Sequence, residues 1–462
     1  MINANLQKDT IFYFLGIGGI GMSALARFFH QKGHIVLGYD KTSTPLTQQL
    51  EMEGMDITYE DDLLNMPSLL RNTPTEKVWV CYTPAIPQDS ILKNWFQDHE
   101  FPMMKRSELL GKITERYQTI AVAGTHGKTT TSSLITYVLT QCGFPVNAFL
   151  GGISANFNSN LVTADSHWVV VEADEFDRSF LTLSPQVAVI TAVDPDHLDI
   201  YGDAQTFEKG FQDFAKKVVP NGKIWAQADI STVWKDLASG VSVQSYSNGA
   251  KGLAHAKEIR VENGKFVFDY VGETVIGNVE CGLAGIHNIE NAVAAISVAL
   301  QLGCKAEDIK NAIGSFKGVS RRFERVMETA HCVVIDDYAH HPTEIHAAVA
   351  SARMLFPNKK MGGIFQPHLY SRTRDFSDGF AHELGQLDAV ILLPIYPARE
   401  LPIAGVDSQS ILDKILINDK KVLEKSELLE IGIPGDWEVV LFLGAGDIDQ
   451  LVRPVCQGIQ KG

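Results

Sequence analysis

Lys128 and Thr129 stand directly behind glycines 124 and 127, in the stretch Thr119-Ile-Ala-Val-Ala-Gly-Thr-His-Gly-Lys-Thr-Thr-Thr131. An apolar run, Ile120 to Ala123, reads as a β-strand that feeds the glycines, and a helix-compatible run, Ser132 to Leu139, follows. That order is the layout of a phosphate-binding loop. Glycines let backbone N–H groups close around phosphate oxygens, and a helix N-terminus adds partial positive charge. A lysine at this position reaches the β- and γ-phosphates, and the threonine hydroxyl is suited to Mg²⁺. The loop is a short G-x-x-G-K-T form, because Val122 stands where the longer pattern has its first glycine. Nucleoside triphosphate binding is the expected chemistry.

Two apolar runs deliver further polar groups. His167 to Val171 leads into Glu172, Asp174, Glu175 and Asp177, and Val187 to Val193 leads into Asp194, Asp196, His197 and Asp199. Metal–nucleotide sites on parallel sheets lie beyond the strand C-termini. Glu172 and His197 therefore read as metal ligands beside Thr129, against a satisfied carboxylate and a surface imidazole as the plain reading. Asp174, Glu175 and Asp177 fit either a site or a solvated loop.

A second glycine turn, Gly16-Ile-Gly18-Gly19-Ile20-Gly21-Met22, follows the run Thr10 to Leu15, and Asp40 ends the next run, Ile35 to Tyr39. Glycines at this spacing with an acid roughly 20 residues on match a dinucleotide turn. The same amides suit another diphosphate, and the second phosphate loop downstream favours that alternative. Further on, Arg321-Arg322 reads either as a solvent-facing pair or as a phosphate contact. Arg372 and Arg374 have the guanidinium geometry for a carboxylate. His340-His341 lacks a third His or a Cys at zinc spacing.

These residues need rigid elements behind them. The chain has 462 residues, 45% hydrophobic and 21% charged, which suits several globular domains. A net charge of −15 argues against nucleic acid or an anionic membrane as partner. Six scattered cysteines without a C-x-x-C pair fit reduced thiols in the cytoplasm. No secretory signal and no apolar run of the roughly 20 residues needed to span a bilayer is visible. Strand-type runs alternate with helical patterns in three blocks, 1–106, 107–318 and 319–462, predicting an α/β fold of three domains. A Rossmann-like first domain, a central phosphate-loop domain on a mostly parallel sheet and a Rossmann-like third domain are expected. Within the central block, 223–281 alternates loosely and reads as antiparallel strands. The third block is expected to place strands at 332–335, 361–365, 388–393 and 439–443.

Taken in order, these motifs resemble the Mur ligases, the ATP-dependent amino-acid ligases of peptidoglycan precursor synthesis. The resemblance runs over nearly the whole chain. It rests on Gly16–Met22, Gly124–Thr130, Glu172–Glu175, Asp194–Asp199, His287-Asn-Ile-Glu-Asn291, Arg321–Glu324 and Asp336-Asp-Tyr-Ala-His-His-Pro342. Gln366–Thr373 and Tyr396-Pro-Ala-Arg-Glu400 are characteristic of the alanine-adding branch, with which Gln212 also agrees. The alternative is the recycling branch, which attaches a whole tripeptide and shares the phosphate loop.

The resemblance implies ATP and Mg²⁺ as cofactors, UDP-N-acetylmuramate and L-alanine as further small-molecule partners, and a monomer or weak homodimer. The lactyl carboxylate would be phosphorylated to an acyl phosphate and then attacked by the alanine amine. By family match, Lys128, Glu172, His197 and Arg322 carry the reaction, and Thr129, Glu172 and His197 hold metal. Gly124, Thr125, His126, Gly127, Lys128, Thr129, Thr130, His287, Asn288, Asn291, Arg322 and Asp337 bind ATP. The sugar nucleotide falls to Gly16, Gly18, Gly19, Ile20, Gly21, Met22, Asp40, Thr83, Ala85, Ile86 and His126. Tyr338, His340 and Arg372 are the alanine candidates. The rivals from other classes are an NAD-dependent oxidoreductase using the first domain and a nucleotide-gated binding protein without chemistry.

Overall fold

The computed structural model describes residues 9–194, 198–398 and 400–459. The chain forms two compact units. One contains Met1–Ser247, Lys251–Ala254 and Ala294–Ala312; the other contains Asn248–Ala250, His255–Val293 and Ile313–Gly462.

In the first unit, strands β1 (Ile11–Leu15), β2 (Ile35–Tyr39), β3 (Asp56–Thr58), β4 (Val78–Tyr82) and β5 (Met103–Lys105) form a sheet in the order β3-β2-β1-β4-β5. Its strands pair parallel throughout. All five residues of β1 are buried, as a central strand covered on both faces requires. The helix Ile20–Gln31 is shared with the next sheet. Its Phe28 ring lies 5.3 Å from Phe149, and its buried Arg27 donates to Glu53 and, at 2.5 Å, to Asn160 Oδ1. Asn160 in turn donates to Ser23 Oγ at 2.9 Å. These bonds tie the glycine turn to the central layer.

That layer is built from β6 (Gln118–Ala123), β7 (Asn147–Ser154), β8 (Ser159–Val162), β9 (Trp168–Ala173), β10 (Val187–Ile190), β11 (Lys223–Gln227) and β12 (Ser242–Ser247), in the order β12-β11-β10-β6-β9-β7-β8. Only β7 and β8 pair antiparallel here. The expected antiparallel run from residue 223 is thus corrected in part: β11 pairs parallel with β10 and with β12. The antiparallel strands are β13 (Ala254–Glu262), β14 (Lys265–Val271) and β15 (Val275–Cys281). β10 also stops at Ile190, short of the expected Val193, because residues 191–194 turn to bond the phosphate loop.

The second unit carries a six-stranded sheet of β16 (Glu324–Glu328), β17 (Val333–Asp337), β18 (Met361–Phe365), β19 (Ala389–Leu392), β20 (Lys420–Val422) and β21 (Val439–Leu443). The order is β16-β17-β21-β18-β19-β20, parallel apart from β16. Apolar clusters cover both faces. The order reverses around β21, and ligand crevices in open α/β sheets form at such reversals, beyond the strand C-termini. No helix among the described residues is long and apolar enough to cross a membrane.

Candidate active site

In the first unit the loop Gly124–Gly127 joins β6 to the helix Lys128–Gln141. Gly124 has φ +138°, and a Cβ there would lie 2.1 Å from Thr191 Oγ1, so only glycine fits. Gly127 caps the helix at φ 80°, leaving the first-turn amides without a side-chain cap. The loop is fastened to the segment after β10. Thr125 N donates to Ala192 O at 3.1 Å, and Thr125 Oγ1 both donates to Asp194 O and accepts from Asp194 N at 2.9 Å. Thr191 Oγ1 donates to His126 O. His126 Nε2 lies 3.7 Å from Asp194 Oδ2. Thr129 and Thr130 are buried at the start of the helix.

Lys128 Nζ donates to Gly124 O at 2.7 Å and to Glu175 Oε1 at 2.9 Å. Burial works against the lysine's charge, but Glu175, Asp174 and Glu172 outweigh it and hold the lysine above its usual range. The Glu175 carboxyl is pushed up to about 7 by burial, with Lys128 opposing. Glu172, opposite Val122 in the β6–β9 register, leaves its buried Oε2 without a hydrogen-bond partner. A carboxylate oxygen with no donor against it suits a hard divalent cation. Glu172 thus fits the metal-ligand expectation; His197, the expected partner ligand, lies outside the described residues.

The glycine turn of the same unit gathers a second set. A Cβ on Gly16 would lie 2.7 Å from Thr83 Cγ2 and 3.5 Å from Ile86 Cδ1, so the turn and the Thr83–Ile86 loop meet. Ala85 N donates to Thr83 Oγ1 at 3.4 Å. Gly18 N donates to Asp40 Oδ2 at 2.8 Å. Gly19 caps the helix Ile20–Gln31 with no side-chain bond to its amides. Met22 is buried, its Sδ 3.8 Å from Cys81 Sγ. Arg106, which sequence reasoning did not single out, packs on Gly21, and its Nη2 lies 3.2 Å from Asp174 Oδ2.

In the second unit the candidates collect at the ends of β17 and β18. Asp337 accepts from Phe323 N at 2.8 Å and Ala339 N at 2.7 Å, while burial pushes its carboxyl up to about 6 against the pull of Arg322. The guanidiniums of Arg321 and Arg322 lie 5.0 and 4.9 Å from the Tyr338 ring. Arg321 is structural as well: it donates to Gly444 O at 2.6 Å and Gly446 O at 3.1 Å. His340 Nδ1 lies 2.9 Å from Tyr338 O, its amide donates to Glu344 Oε2 at 3.0 Å, and Glu344 Oε1 lies 3.9 Å from Arg322 Nη1. Burial lowers His340 to about 4, Glu344 opposing and Arg372 reinforcing, so the imidazole is neutral at pH 7. Arg372 is therefore within electrostatic reach of His340. His368 stacks on Tyr396 at 5.7 Å and lies 6.1 Å from His340. Glu344 and His368 join the cluster without having been selected from sequence; Glu344 sits in the first turn of the helix Pro342–Leu355, which His341 caps, and reaches back to the His340 amide. Arg399 lies outside the described residues.

His287, Asn288 and Asn291 open the helix Ile286–Gln301. Burial and Arg322 depress His287 to about 4, with Glu344 opposing. Asn288 Nδ2 donates to Ala284 O at 2.6 Å, and Asn291 Nδ2 to Asn288 Oδ1 at 3.1 Å, which fixes both amides.

Three family descriptions match in succession: "Mur ligase family, catalytic domain" over 11–118, "Mur ligase middle domain" over 122–299 and "Mur ligase, glutamate ligase domain" over 321–446. The chain belongs to the Mur ligase family. Among curated relatives it is 47% identical to UDP-N-acetylmuramate–L-alanine ligase of Christiangramia forsetii over 452 residues, 98% of each chain. It is 46% identical to the enzyme of that name from Parabacteroides distasonis, over 99% of this chain and 100% of the relative. Among solved structures, UDP-N-acetylmuramate–alanine ligase of Thermotoga maritima superposes with a TM-score of 0.83 at 27% identity, covering 97% of this chain and 99% of that one.

Proposed function

We propose that this chain joins L-alanine to the lactyl carboxylate of UDP-N-acetylmuramate, coupled to cleavage of ATP to ADP and phosphate, in the cytoplasm. The full-length likeness to alanine ligases carries the reading, and the phosphate loop with its strand-end acids supports it. A carboxylate does not condense with an amine in water because its oxyanion is a poor leaving group. Transfer of the γ-phosphoryl group makes an acyl phosphate, the alanine amine attacks its carbonyl carbon, and inorganic phosphate departs. No protein nucleophile is needed, so rate comes from positioning and charge neutralisation.

Lys128 leaves Glu175 to meet the β- and γ-phosphates, with the amides of 124–130 around them. Thr129, Glu172 and His197 would hold Mg²⁺, which when bound neutralises phosphate charge. Arg322 serves phosphate, Asp337 ribose, and His287, Asn288 and Asn291 the adenine end. The Gly16–Met22 turn, Asp40, His126 and the Thr83–Ile86 loop serve the sugar nucleotide. Tyr338, His340 and Arg372 take alanine: a neutral His340, its Nδ1–H given to Tyr338 O, accepts one hydrogen bond at Nε2 without repelling the ammonium group. We assign these tasks to domains 1–106, 107–318 and 319–462. Phosphate release that requires both L-alanine and UDP-N-acetylmuramate tests the reading. Release with neither, or a marked preference for the tripeptide over alanine, would replace it.

A further inference from the structure

Arg106 opens the helix Arg106–Thr114, directly after β5. Its side chain lies against the first turn of the helix Ile20–Gln31: a Cβ on Gly21 would meet Nη1 at 2.9 Å and Cδ at 3.1 Å. A cation beside a helix N-terminus is electrostatically unfavourable, since the free amides already carry positive charge there. Two carboxylates offset that charge. Asp174 Oδ2 lies 3.2 Å from Nη2, and Asp40 Oδ2 accepts from Gly18 N at 2.8 Å. Both the guanidinium and Asp174 retain access to solvent, with side chains 23% and 36% exposed. A pair that open is weak and exchangeable.

We propose that Arg106 is a binding residue for the diphosphate of the sugar nucleotide and that Asp174 competes with that diphosphate for it. This rests on the assignment of UDP-N-acetylmuramate to the glycine turn. A diphosphate on the turn offers two charged oxygens to a group that now shares one half-exposed carboxylate, and a guanidinium fork takes phosphate bidentately. A side chain at Gly21 would make the guanidinium of Arg106 shift from its place against the turn. Lys105, the neighbouring cation, pairs with Asp177 at 3.1 Å and provides an internal comparison.

Calorimetry with UDP and with uridine on the full chain tests this. Arg106→Gln should weaken UDP by roughly tenfold to a hundredfold, the scale of one charge-assisted contact, and leave uridine unchanged. Arg106→Lys, which keeps charge and loses the fork, should fall between. Asp174→Asn should tighten UDP roughly two- to fivefold, as expected on releasing a surface ion pair, whereas Asp177→Asn removes the same charge and should leave UDP near the wild-type value. Equal losses for UDP and uridine, or weaker UDP binding by Asp174→Asn, would overturn the proposal. Failure of the wild-type chain to bind UDP would instead overturn the assignment beneath it.

Discussion

Lys128 Nζ and Glu175 Oε1 are 2.9 Å apart, with the carboxylate side chain only 2% exposed. The lysine of the phosphate loop therefore has an internal partner two residues beyond β9. The pairing orients the lysine along the loop; on the assignment proposed above, nucleotide phosphate would replace Glu175 as its partner.

Lys128→Ala should lower kcat by at least ~100-fold at saturating ATP, the scale of losing one preorganised charge donor. A second readout follows from Glu175. Its carboxyl has been raised by burial from 4.5 to about 7, so its neutral form is favoured in the folded chain. Its contribution to stability is present in full at low pH and is lost as pH rises through about 7. Removing the cation that eases ionisation deepens this loss. The drop in melting temperature of Lys128→Ala should be larger at about pH 8 than at about pH 5, and equal drops would mean that the pair is not coupled.

Glu172→Gln bears on the metal. Glu172 Oε2 is buried with no hydrogen-bond partner, so the substitution breaks no bond at that oxygen. Melting temperature should hold or rise, while turnover falls most at low Mg²⁺ and recovers in part as Mg²⁺ is raised. An unchanged Mg²⁺ titration would reduce Glu172 to a structural carboxylate.

Much of this was legible in sequence where local chemistry decides. The runs 35–39, 361–365 and 439–443 are strands with those bounds, because central strands of parallel sheets are continuous apolar segments. The edge strands β3, β5 and β20 span three residues each, too few for a period to show. The parallel direction of β11 and β12 is not legible in sequence, because pairing direction depends on the partner, which β12's mixed burial does not disclose. Arg106 is a helix-start residue locally; its meaning comes from Asp174, 68 residues away, and from Gly21.

Arg372→Ala should raise KM for L-alanine with little change in ATP affinity, since a guanidinium fork suits the α-carboxylate. Arg372 also helps keep His340 neutral, lowering it together with burial against Glu344. The variant should therefore shift the acid limb of the alanine profile upward in pH. Loss of ATP binding without a change in alanine KM would move Arg372 to the nucleotide.

Asp336 tests the electrostatics of the second unit apart from catalysis. It is 4% exposed, its Oδ1 has no hydrogen-bond partner, and the Arg321 Nε contact is long at 3.9 Å. Burial pushes its carboxyl from 3.8 up to about 7, Arg321 opposing and Asp337 reinforcing. A folded value above the unfolded one means that stability is present below about 3.8 and is lost as pH rises through about 7. Asp336→Asn removes that loss, so melting temperature should exceed wild type at about pH 8, and the gap should close toward about pH 5. Asp337 titrates in the same direction, so some slope should persist in the variant. Arg321 keeps Gly444 O, Gly446 O and an Asp449 contact at 3.5 Å, and is not stranded by the change. A variant less stable than wild type at about pH 8 would show that the Arg321–Asp336 attraction outweighs the cost of burying the carboxylate.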